Sequence, residues 1–314
     1  MSVLRKAGGL FLRVNEWAWN RVPADSRKTR PVTRYGAFLH SLVKLRSDRR
    51  QYHGTFFLRN RAELQLLRTV AEKKPRGSTL RIAVLACSNG AEVYSIVWTV
   101  RSARPDLEVI TNASDISSDI VGIARRGIYS SKDDTLVGSP IFERLTDQEI
   151  ESIFEPVGED RKIQAWIQEG IQWQVADATD EQLVSVLGGQ DIVVANKFLC
   201  HMDPPAAESC LRNLARLVVP GGYLFVSGID LDVRTKVARE LGWLPVLDSI
   251  EEIHDGDPSV RKDWPWRYWG LEPFDRKRSD WAIHYASVFR LGQPTAAPDV
   301  AANADVFASV NPAT

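Results

Sequence analysis

Residues 85–96 read LACSNGAEVYSI, and this short stretch decides the predicted fold. The apolar run RIAVLA (81–86) predicts a buried strand, whereas AEVYSIVWTVRSA (91–103) has the apolar spacing of a helix. The junction between them consists of small residues with a single glycine, Gly90. A helix that begins directly after a strand presents free backbone N–H groups, and small side chains let a ligand approach them closely. An ordinary turn is the alternative explanation for the same residues.

The rest of the chain continues this alternation of strands and helices. Apolar runs bounded by polar residues predict further strands, namely EVITNASDI (108–116), IQWQVAD (171–177), DIVVANKF (191–198), GGYLFVSGID (221–230), WLPVLDS (243–249) and WAIHYASVFRL (281–291). Residues 128–176 interrupt the rhythm with two helical patterns, at 143–154 and 160–169. The order of elements predicts an α/β fold in which a mostly parallel sheet carries helices on both faces.

Three parts are expected along the chain. Residues 1–60 predict a small helical module that has thirteen lysine and arginine residues against three acidic ones. Such a module is either a solvated helical face or a docking surface for an acidic partner. Residues 61–291 are expected to form the sheet domain, with a small subdomain inserted at 128–176. The tail 292–314 has the composition of a disordered segment.

The composition argues against several classes of protein. The formal net charge is zero, which does not favour nucleic acid as a partner. No apolar stretch approaches the length of a membrane span. Cys87, Cys200 and Cys210 lack the paired spacing of a zinc site or a disulfide framework, so no metal is expected. Together these features predict a cytoplasmic protein.

Polar residues follow several predicted strands, at the sheet edge where α/β proteins bind ligands. Asp115 ends the second strand about 25 residues after Gly90, where an acidic residue commonly binds ribose hydroxyls. Asp177 and Asn196 end the next two strands. The first loop has neither a P-loop lysine nor the GxGxxG glycines, so a nucleotide phosphate is not favoured. A nucleoside without a pyrophosphate, such as S-adenosylmethionine, fits these residues.

The same segments resemble the CheR-type methyltransferases. LACSNGAEVYSI is similar to the family stretch GCSTGEEPYS, and ASDISSDIVGIARRGIYS (113–130) resembles the second-strand block. GTFFLRN (54–60) resembles the T-x-F-F-R motif, and residues 193–228 resemble the block R-N-V-L-I-Y-F-D-P with its helix and its P-G-G-Y-L strand. Four blocks in family order imply a class I methyltransferase-like (Rossmann-like) fold that binds S-adenosylmethionine and methylates a protein glutamate.

The resemblance implies roles for individual residues. Thr55 and Arg59 would lie at the mouth of the cofactor site, with Arg59 near the methionine carboxylate or the substrate. The other implied cofactor-binding residues are Ala86, Cys87 and Gly90 in the first loop, Glu92 at the amino-acid end, Asp115 with the adjacent Ile116 at the ribose, Asp177 and Ala178 beside the adenine, and Asn196 at the methyl group. The residues alone leave alternatives, which are a surface ion pair for Arg59, a helix N-cap for Asp177 and an ordinary turn for Asn196.

The chain departs from the family pattern near the acceptor. LCHMD (199–203) stands where the family has an aromatic pair that includes a tyrosine, and Ala195 replaces the family arginine. His201 is therefore a candidate general base for a hydroxyl acceptor, or a packing residue, whereas a carboxylate acceptor needs only a positioning cation such as Arg59. The aromatic cluster at 264–281 covers the sheet or lines the substrate site. A small-molecule methyltransferase and a non-catalytic nucleoside sensor stay open as alternatives.

Overall fold

The computed structural model describes residues 3–49, 53–130, 141–257, 264–269 and 271–292. The helices of this part are α1 Val3–Trp19, α2 Ala24–Arg27, α3 Arg30–Arg46, α4 Arg61–Glu72, α5 Ala91–Ala103, α6 Ser118–Arg126, α7 Asp147–Ile153, α8 Ala165–Gln168, α9 Leu183–Leu187, α10 Pro204–Ala215, α11 Leu231–Glu240, α12 Ile250–Asp255 and α13 Trp281–Tyr285. The strands are β1 Thr79–Leu85, β2 Glu108–Asp115, β3 Ile128–Tyr129, β4 Phe154–Val157, β5 Asp160–Ile163, β6 Ile171–Val175, β7 Gln190–Asn196, β8 Val218–Ser227, β9 Leu244–Pro245 and β10 Val288–Arg290. The expected disordered tail lies outside the described residues, apart from residue 292.

The main sheet has seven strands in the order β6-β2-β1-β7-β8-β10-β9. Strands β6, β2, β1, β7 and β8 pair in parallel, and β10 is antiparallel to both of its neighbours. The chain starts in the centre at β1, runs outward through β2 to β6, and then returns to β7 on the other side. This reversal opens a crevice at the carboxyl ends of β1 and β7, which is where such sheets bind ligands. The predicted mostly parallel α/β fold is confirmed.

The central strand β1 is buried on both faces because its side chains alternate between two apolar layers. Ala83 and Leu85 belong to a cluster with α10, α11 and α13, whereas Ile82 and Val84 face a cluster with α4 and α5. All four residues are at most 1% exposed. The sheet therefore forms a rigid platform, and its carboxyl edge holds the site residues in fixed positions.

A second, smaller sheet is inserted between α6 and β6. Its three strands are antiparallel in the order β3-β5-β4, and Gly158 turns β4 back into β5 with a φ of +62°. Phe57, Tyr129 and Phe154 pack their rings together beneath this sheet at centroid distances of 4.9 to 6.2 Å. The last strand of the interrupted region, β6, belongs to the main sheet, where it pairs with β2.

Helices α1 to α3 form a module that contacts the C-terminal part of the chain. Trp19 and Leu39 are buried in a small cluster with Trp264, whose ring meets Trp19 edge-on at 5.6 Å. The ring nitrogen Nδ1 of His40 lies 3.0 Å from the carbonyl oxygen of Pro265. None of the described helices is long and apolar enough to cross a bilayer.

Three secondary-structure predictions are wrong in part. The helical pattern at 160–169 is instead strand β5 followed by the short helix α8, since Asp160–Ile163 pairs with β4 across the Gly158 turn. The segment 281–291 begins as helix α13 and becomes a strand only at Val288. Of the segment 243–249, only Leu244–Pro245 is a strand. In each case short apolar runs fit both structures, and pairing with neighbouring elements decides between them.

Candidate cofactor site

The loop between β1 and α5 is held in an unusual backbone conformation. Ala86, Ser88 and Gly90 have φ angles of +53°, +50° and +87°, a region that residues with a side chain rarely occupy. The amide of Cys87 donates to the carbonyl of Ser114 on β2 at 2.9 Å, which ties the loop to the neighbouring strand. Strained backbone of this kind persists where the surroundings fix it, and it is concentrated at ligand sites.

Asp115 fixes this loop with its side chain. Its Oδ2 accepts a hydrogen bond from the Ser88 amide at 2.9 Å, and its Oδ1 accepts from the Ser117 amide at 3.1 Å. The residue is 3% exposed. One carboxylate thus joins the first loop to the start of α6, and the remaining lone pairs of its oxygens stay available for a ligand.

Gly90 contributes packing to the site. A Cβ at this position would lie 3.0 Å from Trp173, 3.1 Å from Ala124 and 3.2 Å from Tyr94, at a φ that side chains disfavour. The glycine therefore lets the loop pack against α6 and β6. It is the one residue of the sequence prediction that does not line the cavity described next.

A cavity of about 320 Å³ lies at the carboxyl ends of the central strands. Eleven of the twelve residues singled out in the sequence line it, namely Thr55, Arg59, Ala86, Cys87, Glu92, Asp115, Ile116, Asp177, Ala178, Asn196 and His201. They come from segments up to about 150 residues apart in the sequence. The fold thus brings together in one wall residues that the sequence identified separately.

Asn196 lines the cavity and hydrogen-bonds to two carboxyl groups, of which Glu63 is buried and Glu92 is half-buried. Its Nδ2 donates to Glu63 at 2.6 Å and to Glu92 at 2.9 Å, while its Oδ1 accepts from the hydroxyl of Ser227 at 2.7 Å. Burial and the charge of Glu92 raise the pKa of Glu63 to about 7. Burial likewise raises the pKa of Glu92. The amide therefore sets the orientation of both carboxyl groups.

Arg59 lines the cavity, and an ion pair compensates its positive charge. Its Nε donates to Asp257 at 2.8 Å, and Arg144 lies 3.4 Å from the other oxygen of the same carboxylate. Asp257 is 2% exposed, so the ion pair is largely shielded from water. Arg59 lines the cavity, and its ion pair with Asp257 is largely buried, unlike the surface ion pair that the sequence left as the alternative.

Asp177 and Ala178 lie on the opposite wall, after β6. The carboxylate of Asp177 accepts from both the amide and the hydroxyl of Thr179 at 2.8 Å, which forms a tight polar turn. Asp177 is exposed and does not cap α9, since that helix begins at Leu183. The predicted alternative of an N-cap for this residue is wrong.

His201 lies at the rim, on a short 3₁₀ turn, and its partner comes from the far end of the chain. The hydroxyl oxygen of Tyr268 is 2.7 Å from His201 Nδ1. Arg49 holds the same turn by donating to the carbonyls of Cys200 at 3.0 Å and Met202 at 2.8 Å, and it pairs with Asp230 at 2.9 Å. The turn is thus fixed from both ends of the chain.

The aromatic cluster divides into three groups, and none of its described rings lines the cavity. Tyr268 and Trp269 form one of them, with ring centroids 4.6 Å apart. Trp264 and Trp266 meet Trp19 of the N-terminal module at 5.6 and 6.3 Å. Trp281 packs near Phe274 at 6.1 Å, against the sheet domain. Tyr268 is the described member of the cluster that reaches the cavity rim, through His201, and the alternative of a substrate wall stays a prediction.

Three positions at the cavity and its rim escaped the sequence reasoning, and Tyr268 was selected only as a member of the aromatic cluster. Arg49 and Lys197 carry no local signal, because only the fold brings them to the rim or the cavity. Glu63 did carry one. It shares the apolar face of α4 with Leu66, Leu67 and Val70, and an acidic residue on such a face is typical of a buried polar contact.

The cavity has the chemistry that S-adenosylmethionine requires. Its wall includes the carboxylates of Glu92, Asp115 and Asp177, which suit an ammonium group and hydroxyls. It also includes the apolar side chains of Ala86, Ala178 and Phe198, which suit a purine face. A cationic cosubstrate with a ribose therefore fits the residues present.

Fold and cavity together define a class I methyltransferase-like domain. Residues 53–232 match the family described as CheR methyltransferase, SAM binding domain, and the chain belongs to this family. The predicted family and cofactor, S-adenosylmethionine, are thereby confirmed.

Curated relatives of this chain are named as methyltransferases. Chemotaxis protein methyltransferase 1 of Vibrio cholerae is 28% identical over 175 residues, which cover 54% of this chain and 59% of that protein. Chemotaxis protein methyltransferase 2 of the same organism is 23% identical over 182 residues, covering 55% and 60%. The probable biofilm formation methyltransferase WspC of Pseudomonas putida is 25% identical over 210 residues, covering 65% and 47%. The chain thus spans about 60% or less of the length of these relatives. Among solved structures, an O-methyltransferase family protein from Burkholderia thailandensis is 13% identical with a TM-score of 0.35, covering 83% of this chain and 60% of that one.

Proposed function

We propose that the protein transfers a methyl group from S-adenosylmethionine to a glutamate carboxylate of a protein. The observation that carries this proposal is the cavity, in which residues equivalent to the family motifs converge beside cationic side chains. Relatives named chemotaxis protein methyltransferases support a protein acceptor. S-adenosylmethionine supplies an electrophilic methyl group when it is bound.

The residues of this chain have three tasks in such a reaction. Asp115 binds the ribose hydroxyls and Glu92 the ammonium group, which together fix the cosubstrate. Asn196 positions Glu92 by hydrogen bonding. The acceptor carboxylate is ionised at neutral pH and needs no general base, so the protein must hold it in line and exclude water. Cations at the cavity wall perform this positioning.

Methyl labelling of a lysate tests the proposal. The purified chain is incubated with tritiated S-adenosylmethionine and a lysate of the source cells, and the label is sorted by molecular size and by lability to base. We expect label in the protein fraction that base releases as methanol, as for a carboxyl methyl ester. A matched reaction with folded Asp115→Asn chain at limiting S-adenosylmethionine should give at least about tenfold less label. Label that is stable to base, or confined to small molecules, contradicts a glutamate acceptor.

A second candidate is methyl transfer to a hydroxyl of a small molecule. The contact between His201 and Tyr268 at 2.7 Å favours it, because a hydroxyl acceptor benefits from a held imidazole that accepts its proton. The labelling experiment distinguishes the two, since an ether product is stable to base and appears in the small-molecule fraction.

The N-terminal module is proposed to dock an acidic partner. Its excess of thirteen basic over three acidic residues supports electrostatic attraction to such a surface. Poly-glutamate should bind the intact chain, and the affinity should fall steeply with salt. The double variant Arg13→Glu/Arg34→Glu reverses two exposed charges of the module. Equal affinity of this variant for poly-glutamate contradicts the docking role.

A further inference from the structure

Lys197 is one of the cavity residues that the sequence gave no reason to select. It follows Asn196 at the end of β7 and lines the cavity. Its φ is +62°, a left-handed conformation that costs free energy for a residue with a side chain. Its amide donates to the carbonyl of Ser227 at 2.9 Å. The neighbouring Gly228 leaves room for this arrangement, since a Cβ there would lie 2.5 Å from the Lys197 Cα. The fold therefore accommodates a strained lysine in the cavity wall.

Lys197 differs from the other cationic side chains of the cavity wall, because Asp257 and Glu63 act on its charge only from beyond ion-pair distance. Three cationic side chains line the wall, and two are already paired: Arg59 with Asp257 at 2.8 Å and Arg49 with Asp230 at 2.9 Å. Among the described residues, Lys197 has no carboxylate within the 4.0 Å of an ion pair. Burial and the nearby charge of Arg59 lower the pKa of Lys197. An anion bound beside it would relieve this desolvated charge.

We propose that the ammonium group of Lys197 binds a carboxylate of the reacting molecules. This inference rests on the proposed function, in which two carboxylates enter the cavity. One is the carboxylate at the amino-acid end of the cosubstrate, and the other is the acceptor side chain. The lysine is a binding residue, and no proton transfer is assigned to it.

Three variants of Lys197, one control variant and two assays separate these sources. Lys197→Met removes the charge at similar length, and Lys197→Gly removes it while relieving the left-handed strain, so a folded variant is secured. Lys197→Arg keeps the charge. Lys236→Met is the matched control on a lysine outside the site that pairs with Glu208. Calorimetry measures binding of S-adenosylhomocysteine and of 5′-methylthioadenosine, which lacks the amino-acid end. The rate of base-labile protein labelling is measured at limiting lysate.

The expected loss, in binding affinity or in labelling rate, is at least about tenfold, which is the scale of one charge-assisted hydrogen bond. If Lys197 binds the cosubstrate, Lys197→Met weakens the binding of S-adenosylhomocysteine by this factor and leaves the binding of 5′-methylthioadenosine unchanged. If it binds the acceptor, the affinity for S-adenosylhomocysteine is retained, the labelling rate falls by this factor, and Lys197→Arg restores part of it. Smaller changes in both assays overturn the inference, even where wild-type labelling is strong. Absence of base-labile label with the wild-type chain counts against the proposed function instead, and the calorimetry alone then decides on Lys197.

Discussion

Replacing Asp115 tests the placement of the ribose, because this carboxylate has one structural and one ligand-binding task. Its two oxygens accept from the amides of Ser88 and Ser117. Asp115→Ala leaves both N–H groups without a partner, and each lost hydrogen bond to a charged group costs about 1.5 to 3 kcal/mol. The free energy of unfolding should therefore fall by roughly 3 to 6 kcal/mol. Asp115→Asn keeps one acceptor oxygen, so about half of that loss is expected.

The affinity for S-adenosylhomocysteine should fall in parallel. Losing one good hydrogen-bonding group to a buried ribose weakens binding by at least about tenfold, or roughly 1.4 kcal/mol. Calorimetry on folded Asp115→Asn protein measures this directly. Asp119→Asn is the matched control, since Asp119 is exposed in the first turn of α6 and contacts neither the loop nor the cavity. An affinity of folded Asp115→Asn within about twofold of wild type would refute the ribose assignment, whatever the change in stability.

Three further outcomes are expected. Because the pKa of Glu63 is raised to about 7, its contribution to stability is fully present below its unfolded pKa and is lost as the pH rises towards 7. The variant Glu63→Gln should therefore gain on the order of 2 to 3 kcal/mol relative to wild type between pH 4.5 and 8 in denaturant melts, and a constant difference contradicts this. His201→Asn should retain base-labile protein labelling from pH 6 to 8, since a carboxylate acceptor needs no base. Loss of turnover assigns His201 to the chemistry and favours a hydroxyl acceptor. Gly36→Ala should lower the melting temperature, because its Cβ would lie 2.3 Å from the Trp264 ring, whereas the helical control Gly9→Ala, with 3.8 Å of clearance, should raise it.

The cofactor half of the site could be predicted from the sequence because each residue lies where a strand ends. Asp115, Asp177 and Asn196 follow apolar runs, and parallel strands bring their carboxyl ends to one edge. A residue that follows a strand in the sequence can therefore be placed at the edge of the sheet that binds the ligand. The prediction for Gly90 identified the correct loop, yet the structure gives the glycine a packing task against Trp173, which lies about 80 residues away.

The short apolar segments were predicted less well, for a physical reason. A run of four or five residues satisfies both helical and strand spacing, so its structure depends on which partner it meets. Asp160–Ile163 becomes a strand because Phe154–Val157 lies opposite it. Trp281–Tyr285 becomes a helix, and His284 there contacts Glu272 at 2.6 Å and Thr235 at 3.0 Å. Contacts between residues that are separated in the sequence do not change the local spacing of apolar residues.

The residues that the sequence could predict are those that suit the cosubstrate. The residues that it could not predict hold the rim turn, where the acceptor is expected. The cavity residues that suit S-adenosylmethionine lie within the matched stretch 53–232. Two residues that hold the rim turn, Arg49 and Tyr268, lie before and after that stretch. Tyr268 follows Trp264 by four residues, and Trp264 is anchored on Trp19 of the N-terminal module. The position of His201 therefore depends on segments for which the family match supplies no information. Similarity to relatives over 53–232 accordingly supports the shared cosubstrate more strongly than a shared acceptor, and the acceptor must be established by labelling rather than by family membership.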